Sequence, residues 1–381
     1  MRRIDRIEPF RVMQLLERAR ELEAQGRSIV HMEIGEPDFS SPPAAADAAR
    51  ALLDSGDGSF YTPSTGIPEL RSAIARWYGS EYGLTISPER VLVTPGASGG
   101  FLALYLALVE SGERVLLPDP GYPCQRHFVR LAGGDPVSVP VGPGSRYHLT
   151  AEHVAVHGKN GVRAVVVTSP GNPTGTVCPA DHLRRLATAC RDKGAVLISD
   201  EIYHGLTYGV DAPCALSVDP EAVVVNGFSK RWAMTGWRVG WLILPEPLID
   251  PVTRVLQNIF IAPTTLSQHA ALAALGADTV VAQMRAAYAE RRAFLLTELP
   301  KLGFRIPATP DGAFYIYADA GRFTDDAQRF CQTLLEAAGV AITPGADFGT
   351  HQADRHVRFS YATSLEQLRE GVARLGRYLA E

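Results

Sequence analysis

The segment AVLISDEIYHG, residues 195–205, is typical of an α/β fold because it joins a short apolar run to a cluster of polar residues. Its first half is almost wholly apolar, which is typical of a strand covered on both faces in a mostly parallel sheet. The polar residues, beginning at Asp200, would then lie at the carboxyl end of that strand. Ligands of open α/β sheets bind at this edge. The stretch therefore predicts both a buried strand and the position of a binding site.

Segments of the same kind recur on both sides of this stretch and alternate with helical patterns. The predicted strands are RVLVT (90–94), RVLLP (114–118), PVSVPV (136–141), RAVVVTS (163–169), AVLISD (195–200), AVVVNGF (222–228) and GWLIL (240–244). Between two of them, PADHLRRLATACRDKG has a helical pattern that ends at Gly194, a typical helix terminus. This alternation predicts an α/β fold, with a three-layer α/β/α large domain around a mostly parallel sheet.

The pattern changes after Leu244 and indicates a second, smaller α+β domain. A long helical region is predicted over about residues 265–299, and the strand candidates GAFYIYADA and HVRFSYA follow it. A helix near residues 10–25 precedes the first strand of the large domain, and we expect it to pack on the small domain. The predicted boundaries are 40–275 for the large domain, and 1–39 with 276–381 for the small one.

Composition and charge argue against several classes of protein. The 381 residues include 37 basic and 41 acidic side chains, and the basic ones are scattered, so no nucleic-acid partner is expected. The longest apolar run, FLALYLALV, is too short to span a bilayer, and the N-terminus lacks the apolar core of a signal peptide. Five scattered cysteines without C-x-x-C spacing predict reduced thiols and no zinc site. We expect a cytoplasmic enzyme with no metal and no membrane partner.

Glycine-rich and polar segments follow several predicted strands and would meet at one edge of the sheet. The turn GASGG, residues 96–100, opens a helix and could present backbone N–H groups to a phosphate. It matches neither G-x-G-x-x-G nor the Walker pattern, which disfavours dinucleotides and nucleoside triphosphates. Ser229 and Arg238, near another strand end, would add a hydroxyl and a guanidinium to a phosphate site.

Four further polar side chains at these strand ends are the groups that pyridoxal 5'-phosphate requires. Lys230 would bind the aldehyde covalently, and Asp200 would keep the pyridine nitrogen protonated, so that the ring accepts electrons. Tyr203 and Asn172 would hydrogen-bond the phenolate oxygen. The apolar neighbours of Lys230, in NGFSKRWAMTGWRVGW, fit this role because burial favours a neutral amine.

Nine stretches, in order along about residues 35–362, give the chain its resemblance to the class I/II aminotransferases, pyridoxal-phosphate enzymes of fold type I. They are IGEPDF, YTPSTGIPELR, VTPGASGG, PDPGYP, SPGNPTG, SDEIY, GFSKRWAMTGWRVGW, PDGAFYIY and VRFSYA. The resemblance implies transfer of an amino group between an L-amino acid and a 2-oxo acid by a ping-pong mechanism. In that mechanism Lys230 matches the lysine that forms the internal aldimine and moves the proton, and Asp200 and Tyr203 match its catalytic partners.

The resemblance also implies which residues bind the cofactor beyond the strand-end cluster. Tyr122 matches the aromatic residue that stacks on the ring, a position where many family members have tryptophan. Ala97 and Ser98 match the phosphate-binding turn, which Ser229 and Arg238 complete.

Substrate binding and assembly are implied in the same way. Arg358 matches the arginine that binds the substrate α-carboxylate, with Gly35 and Asn172 beside it. Tyr61 matches a tyrosine that reaches the phosphate from a neighbouring subunit, which implies a homodimer with shared active sites.

Alternatives remain at this stage. A C–S lyase or an aminocyclopropane-carboxylate-synthase-like enzyme would use most of the same residues. A ligand-sensing regulator is disfavoured because residues 1–33, before IGEPDF, are too few for a DNA-binding module, and a dehydrogenase because the dinucleotide motif is missing. No basic residue matches a site for a second substrate carboxylate. Ile259, Phe260 and Ile261 suggest an apolar wall that favours aromatic or aliphatic side chains.

Overall fold

A computed structural model describes residues 3–380 of the chain. Its strands are β1 (Val30–His31), β2 (Val91–Thr94), β3 (Arg114–Asp119), β4 (Asp135–Pro140), β5 (Ala164–Thr168), β6 (Val196–Asp200), β7 (Val223–Gly227), β8 (Gly240–Ile243), β9 (Tyr315–Asp319), β10 (Val340–Ala341), β11 (Thr343–Pro344) and β12 (His356–Ser360). Its α-helices are α1 (Arg11–Ala24), α2 (Pro43–Ser55), α3 (Pro68–Tyr82), α4 (Gly96–Leu108), α5 (Pro123–Ala132), α6 (Ala151–His157), α7 (Ala180–Asp192), α8 (Glu246–Phe260), α9 (Thr265–Ala274), α10 (Asp278–Leu302), α11 (Ala327–Ala338) and α12 (Leu365–Ala380).

The largest sheet has seven strands in the order β2-β8-β7-β6-β5-β3-β4. Its strands run parallel except β8, which is antiparallel to both of its neighbours. Each predicted strand of the large domain is present, and residues of β5 and β7 are buried throughout. The prediction of a mostly parallel sheet is therefore confirmed.

Helices cover both faces of this sheet, as the continuous apolar strands require. On β5, Val165 and Val167 face a cluster that includes side chains of α3, α7 and α9. The alternate residues Ala164 and Val166 face a cluster with side chains of α4, α5 and α8. The α/β/α layering predicted from the sequence follows from this alternation.

Two smaller sheets lie outside the seven-stranded one. Strands β11, β12 and β9 form an antiparallel sheet, and β1 pairs in parallel with β10. Helix α1 packs through Leu15, Ala19 and Leu22 against Leu335 and Ala341, which belong to α11 and β10. The boundaries of the two domains remain a prediction.

The helical region predicted over residues 265–299 consists of two helices. Helix α9 ends at Ala274, and α10 begins at Asp278. Ala277 has φ −86° and ψ 42°, outside the helical range, so the ladder of backbone hydrogen bonds does not continue. Gly276, which weakens helices, stands beside it. Within residues 3–380, no helix combines the length and the apolar character that crossing a membrane requires.

Candidate active site

The carboxyl ends of β2, β3, β5, β6 and β7 surround one cavity of about 350 Å³, whose lining also includes residues from α1 and β12. The predicted site residues that line it are Gly35, Ala97, Ser98, Tyr122, Asn172, Asp200, Tyr203, Ser229, Lys230, Arg238 and Arg358. Parallel strands end at the same edge, so segments far apart in sequence meet there.

Tyr61 is the predicted site residue that the cavity does not include. Its side chain is 80% exposed. Ile259 and Ile261, from the predicted apolar wall, are also exposed and do not line the cavity. The expected contact of Tyr61 needs a second copy of the chain, so its role remains a prediction, as does that of the apolar wall.

Lys230 follows β7 and extends into the cavity, where its amine donates a hydrogen bond to the Gly35 carbonyl at 2.7 Å. Burial lowers the pKa of this amine to about 8, against the opposing charge of Glu36, and nearby Arg238 and Arg358 lower it further. At pH 7 about one amine in ten is then neutral, whereas an exposed lysine is almost wholly protonated. The amine can therefore act as a nucleophile and a base near neutral pH.

Asp200 is the last residue of β6, and its side chain is only 3% exposed. Burial raises the pKa of this carboxyl to about 7, while the Ile202 backbone N–H, the Gln125 amide and Lys230 favour its charged form. Gln125 is held in turn by Tyr105, whose hydroxyl donates to Gln125 Oε1 at 2.8 Å. A buried carboxyl of this kind is poised to pair with a cationic group in the cavity.

The turn where β2 leads into α4 meets Arg238, and its groups suit an anion. Gly96 has φ +69°, and a Cβ there would lie 2.6 Å from Arg238 Nη2, so only glycine lets the guanidinium approach this closely. Arg238 is fixed by a hydrogen bond from Nη1 to the Thr235 carbonyl at 3.0 Å. Ala97 and Ser98 lie in the first turn of α4, where backbone N–H groups and the helix dipole favour anions.

Arg358, on β12, is buried and held by groups from several parts of the chain. Its guanidinium donates to Asn172 Oδ1 at 2.9 Å, to the Glu33 carbonyl and to Thr343 Oγ1 at 3.3 Å. It lies over the Tyr315 ring, with its central carbon 4.3 Å from the ring centroid. Its Nε has no hydrogen-bond partner within the described part of the chain. This preorganised fork suits a carboxylate.

Tyr315 was not predicted as a site residue, although its segment PDGAFYIY contributed to the resemblance. Its hydroxyl lies 2.8 Å from that of Tyr203, with which it shares a hydrogen bond. Tyr315 also accounts for the presence of glycine at position 35, because a Cβ there would lie 2.6 Å from the Tyr315 hydroxyl oxygen. The alternation of GAFYIYADA predicts a strand but does not show that one of its tyrosines faces the cavity.

An apolar surface of the cavity, the N-terminal wall, was also missed. It consists of Phe10, Val12, Met13 and Leu16, at the start of α1. Phe10 and Met13 remain partly exposed, at 37% and 46%. The sequence did contain a signal for this surface. Helix α1 has more apolar residues than Leu15, Ala19 and Leu22, which pack on β10 and α11, and the additional ones indicate a second apolar face.

These groups fit pyridoxal phosphate. A single cavity contains an anion site for the phosphate, an amine for the aldehyde and a buried carboxyl for the ring nitrogen. Arg238, beside Gly96, and Arg358 both line this cavity, and two guanidinium groups suit two anionic groups, as a phosphate and a substrate carboxylate require.

Comparisons with known proteins agree with this geometry. Residues 27–375 match the family described as aminotransferase class I and II. The chain is 42% identical to the valine–pyruvate aminotransferase of Mycobacterium tuberculosis, covering 98% of this chain and 97% of that protein. It is 38% identical to the aspartate/prephenate aminotransferase of Thermus thermophilus, covering 99% and 98% respectively.

A solved structure has the same fold over nearly the whole chain. The crystal structure of an aminotransferase from Mycobacterium tuberculosis superposes with a TM-score of 0.96 at 41% identity, covering 99% of this chain and 98% of that one.

Proposed function

This chain belongs to the class I and II aminotransferases, pyridoxal-phosphate enzymes, and we propose that it transfers the amino group of an amino acid with an apolar side chain to a 2-oxo acid. The N-terminal wall carries this proposal, because it lines the same cavity as Lys230 and Arg358. A substrate whose carboxylate binds Arg358 would have its side chain within reach of apolar atoms. Burying those atoms stabilises the complex by about 25 cal/mol per Å².

The charges of the cavity support the same choice. Within residues 3–380, its basic side chains are Lys230, Arg238 and Arg358, each with a proposed partner in the cofactor or the substrate α-carboxylate. The acidic residues that line the cavity are Asp200, proposed to pair with the cofactor ring, and Glu36, which would repel an acidic side chain. The relative with 42% identity is named for valine and pyruvate, in keeping with an apolar donor.

Aspartate is the competing substrate, since the relative with 38% identity is named for aspartate and prephenate. A second copy of the chain could supply a basic group to the cavity. The two substrate classes differ in charge, so they are readily separated by experiment.

Bound pyridoxal phosphate supplies an aldehyde that holds amines covalently and a ring that accepts electrons from the substrate α-carbon. Lys230 is proposed to hold the cofactor and, once the substrate amine has replaced it, to move the proton from the α-carbon. Its lowered pKa supports this role, because a neutral amine can accept a proton without first losing one.

Three other side chains are proposed to tune the ring. Asp200 would hold the proton on the ring nitrogen, which a carboxylate stabilises best when both groups are buried. Tyr203 and Asn172 would donate to the phenolate oxygen. The hydroxyl of Tyr315 fixes that of Tyr203, and Arg358 fixes the Asn172 amide, so both donors are held in place.

The phosphate is proposed to bind at the start of α4. The N–H groups of Ala97 and Ser98, the hydroxyls of Ser98 and Ser229, and the guanidinium of Arg238 would satisfy its oxygens. Tyr122, at the edge of α5, is proposed to stack on the ring face.

Arg358 is proposed to bind the substrate α-carboxylate through its fork of N–H groups. Its stacking on Tyr315 and its bonds to Asn172 and Glu33 leave it little freedom. A fixed carboxylate fixes the direction of the Cα–H bond, so this arginine contributes to the choice of the bond that breaks as well as to affinity.

The test is the half-reaction of the holoenzyme with single amino acids in the absence of a 2-oxo acid, followed as loss of the visible cofactor band. We expect valine and leucine to react faster than aspartate. Met13→Lys, which places a cation in the N-terminal wall, should raise the rate with aspartate and lower that with leucine. Gln14→Lys, on the exposed side of the same helical turn, is the matched control. Equal rates with aspartate and leucine in the unaltered enzyme would contradict the proposed substrate class.

We also propose a homodimer with shared active sites. It is supported by the exposed apolar side chains of Leu53, Phe60, Tyr61, Ile259 and Ile261, because exposed apolar surface is typical of an interface. Thr265 Oγ1 donates to the Phe60 carbonyl at 2.7 Å, which joins the segment of Phe60 and Tyr61 to the start of α9.

Light scattering with size-exclusion chromatography tests this assembly. The unaltered enzyme should elute as a dimer, and Phe60→Asp should weaken it. Tyr61→Phe should keep the dimer but lower cofactor affinity, since its hydroxyl is proposed to reach the phosphate in the other copy. An active monomer would contradict the proposal.

A cytoplasmic location is proposed as well. It is supported by the five unpaired cysteines, of which Cys178, Cys190, Cys214 and Cys331 are buried.

A further inference from the structure

Helix α1 is capped by a residue from the other end of the chain. The residue before the helix, Phe10, makes no side-chain hydrogen bond to its first turn, and that turn contains no acidic residue. Instead the backbone N–H of Arg11 donates to Asp347 Oδ1 at 3.0 Å, across 336 positions of sequence. Asp347 thereby satisfies a donor that the helix itself leaves free, and its negative charge faces the positive end of the helix dipole.

Asp347 belongs to a short turn, Gly345–Asp347, that connects several parts of the active site. Its side chain is 2% exposed, and its carbonyl accepts a hydrogen bond from Arg126 Nη2 at 3.1 Å. The next residue, Phe348, accepts from the Gly121 backbone N–H at 2.9 Å and stacks with Arg358 at 4.8 Å. The turn is therefore held at a fixed position beside the residue proposed to bind the carboxylate.

We infer that Asp347 is a positioning residue for substrate selectivity, which holds the start of α1 so that the N-terminal wall contacts the substrate side chain. This inference rests on the proposed substrate class. Phe10, Val12 and Met13 lie at the cap or in the first turn of α1, where loss of a cap frees the backbone. Arg358, on β12, is held by other bonds, so the α-carboxylate contact does not depend on the cap.

The effect of the cap should depend on the size of the substrate side chain. Leucine reaches an apolar wall, whereas alanine has a single methyl group and gains little from it. A cap of this type changes the local equilibrium by about fivefold, and a buried one by more. Loss of the cap should therefore lower kcat/KM for leucine about fivefold to tenfold more than for alanine.

The donor side of the hydrogen bond offers the cleaner pair of variants. Arg11→Pro removes the N–H, and proline is tolerated at the first position of a helix. Arg11→Ala removes the same side chain, including its contact with Gln328, but keeps the N–H. We expect Arg11→Pro to lower the leucine-to-alanine ratio of kcat/KM and Arg11→Ala to leave it near that of the unaltered holoenzyme.

The acceptor side provides an independent set. Asp347→Ala should lower the leucine-to-alanine ratio of kcat/KM, as Arg11→Pro does. Asp347→Asn keeps an acceptor oxygen, so its ratio should stay near that of the unaltered holoenzyme. If the carboxylate acted through its charge on Arg358, Asp347→Asn would fail as well, and all substrates would be affected alike. Asp326→Ala is the matched control, because Asp326 caps α11 through the Arg329 N–H at 3.0 Å, away from the cavity.

Hydrogen exchange of the α1 amides in the same holoenzyme variants gives a readout that does not depend on activity. Faster exchange in Arg11→Pro and Asp347→Ala, with a lowered leucine-to-alanine ratio, would support the inference. An unchanged ratio, a uniform loss for both substrates, or unchanged exchange would overturn it. Should the unaltered enzyme show no preference for leucine over aspartate, the proposed substrate class fails. In that case the selectivity role of Asp347 would be rejected, and the exchange data would test only its role as the cap of α1.

Discussion

The guanidinium of Arg238 lies against the backbone of Gly96, so close that a Cβ on residue 96 would stand 2.6 Å from Nη2. Gly96 opens α4, and Arg238 precedes β8, which lies beside β2 in the sheet. These neighbouring strands bring the two residues together at the proposed phosphate site. Its concave shape depends on the absence of a side chain at residue 96.

Gly96→Ala should therefore weaken cofactor binding. The added methyl group would displace the guanidinium, and φ +69° would be strained for alanine. We expect the dissociation constant of pyridoxal phosphate to rise about tenfold or more, as loss of a charge-assisted hydrogen bond implies. Gly83→Ala is the matched control, because Gly83 has φ +68° and no atom within 4 Å of its Cβ position. Absorbance titration should show that Gly83→Ala binds the cofactor normally, and equal weakening in both variants would contradict the prediction.

Lys230→Ala should retain cofactor binding through the other contacts but lose the covalent link. Turnover should fall by about four orders of magnitude or more, since general-base catalysis alone contributes about 10²–10⁴. Borohydride reduction followed by mass spectrometry should add the cofactor mass to the unaltered enzyme and to the exposed-site control Lys193→Ala, but not to Lys230→Ala. Full turnover in Lys230→Ala would show that another group has this role.

The buried carboxyl of Asp200 should give the cofactor-free protein a distinctive pH dependence. Its pKa is raised from 3.8 to about 7, so between these values the folded state binds the proton more tightly than the unfolded state does. Its contribution to stability is therefore complete below pH 3.8 and is lost as the pH rises through 7. The loss is on the order of a few kcal/mol.

Asp200→Asn cannot titrate and should reduce this loss. The melting temperature of the cofactor-free variant should fall less between pH 5 and pH 7 than that of the unaltered protein. Glu201, with a pKa raised to about 7 by burial, keeps part of the dependence in both. Asp250→Asn, at an exposed position, serves as the control. An unchanged difference between the two pH values would show that Asp200 does not carry the buried charge.

Arg358→Gln should lower kcat/KM by about two to three orders of magnitude, because two charge-assisted hydrogen bonds to the α-carboxylate are lost. The factor should be similar for alanine, valine and leucine, since all share that carboxylate. Arg358→Lys keeps a positive charge but loses the paired N–H groups, so its kcat/KM should lie between those of the unaltered enzyme and Arg358→Gln. Cofactor affinity, measured by absorbance, should change less than kcat/KM, because Arg358 acts on the proposed cofactor contacts only through Asn172. A loss that depends on the substrate side chain would assign Arg358 to a different contact.

Much of the site could be predicted because its residues follow apolar strands in short motifs. Asp200 ends β6, and Lys230 follows β7, so a correct prediction of the strands already placed both at one edge of the sheet. Tyr315 and Gln125 were missed, because a strand or helix pattern does not show which neighbour a side chain meets. Tyr61 stays a prediction, since its expected contact involves a second copy of the chain.

The amino-acid sequence was enough to predict the succession of strands and helices along the chain, the mostly parallel sheet and the chemistry at the strand ends. It was enough because burial on both faces demands continuous apolar runs, and reactive groups must follow them at the open edge. Three features became visible only in the folded chain: the hydrogen bond from Arg11 to Asp347, the pairing of Tyr203 with Tyr315 and the place of the N-terminal wall. These features depend on how segments far apart in the sequence pack together, and local sequence patterns do not show such contacts.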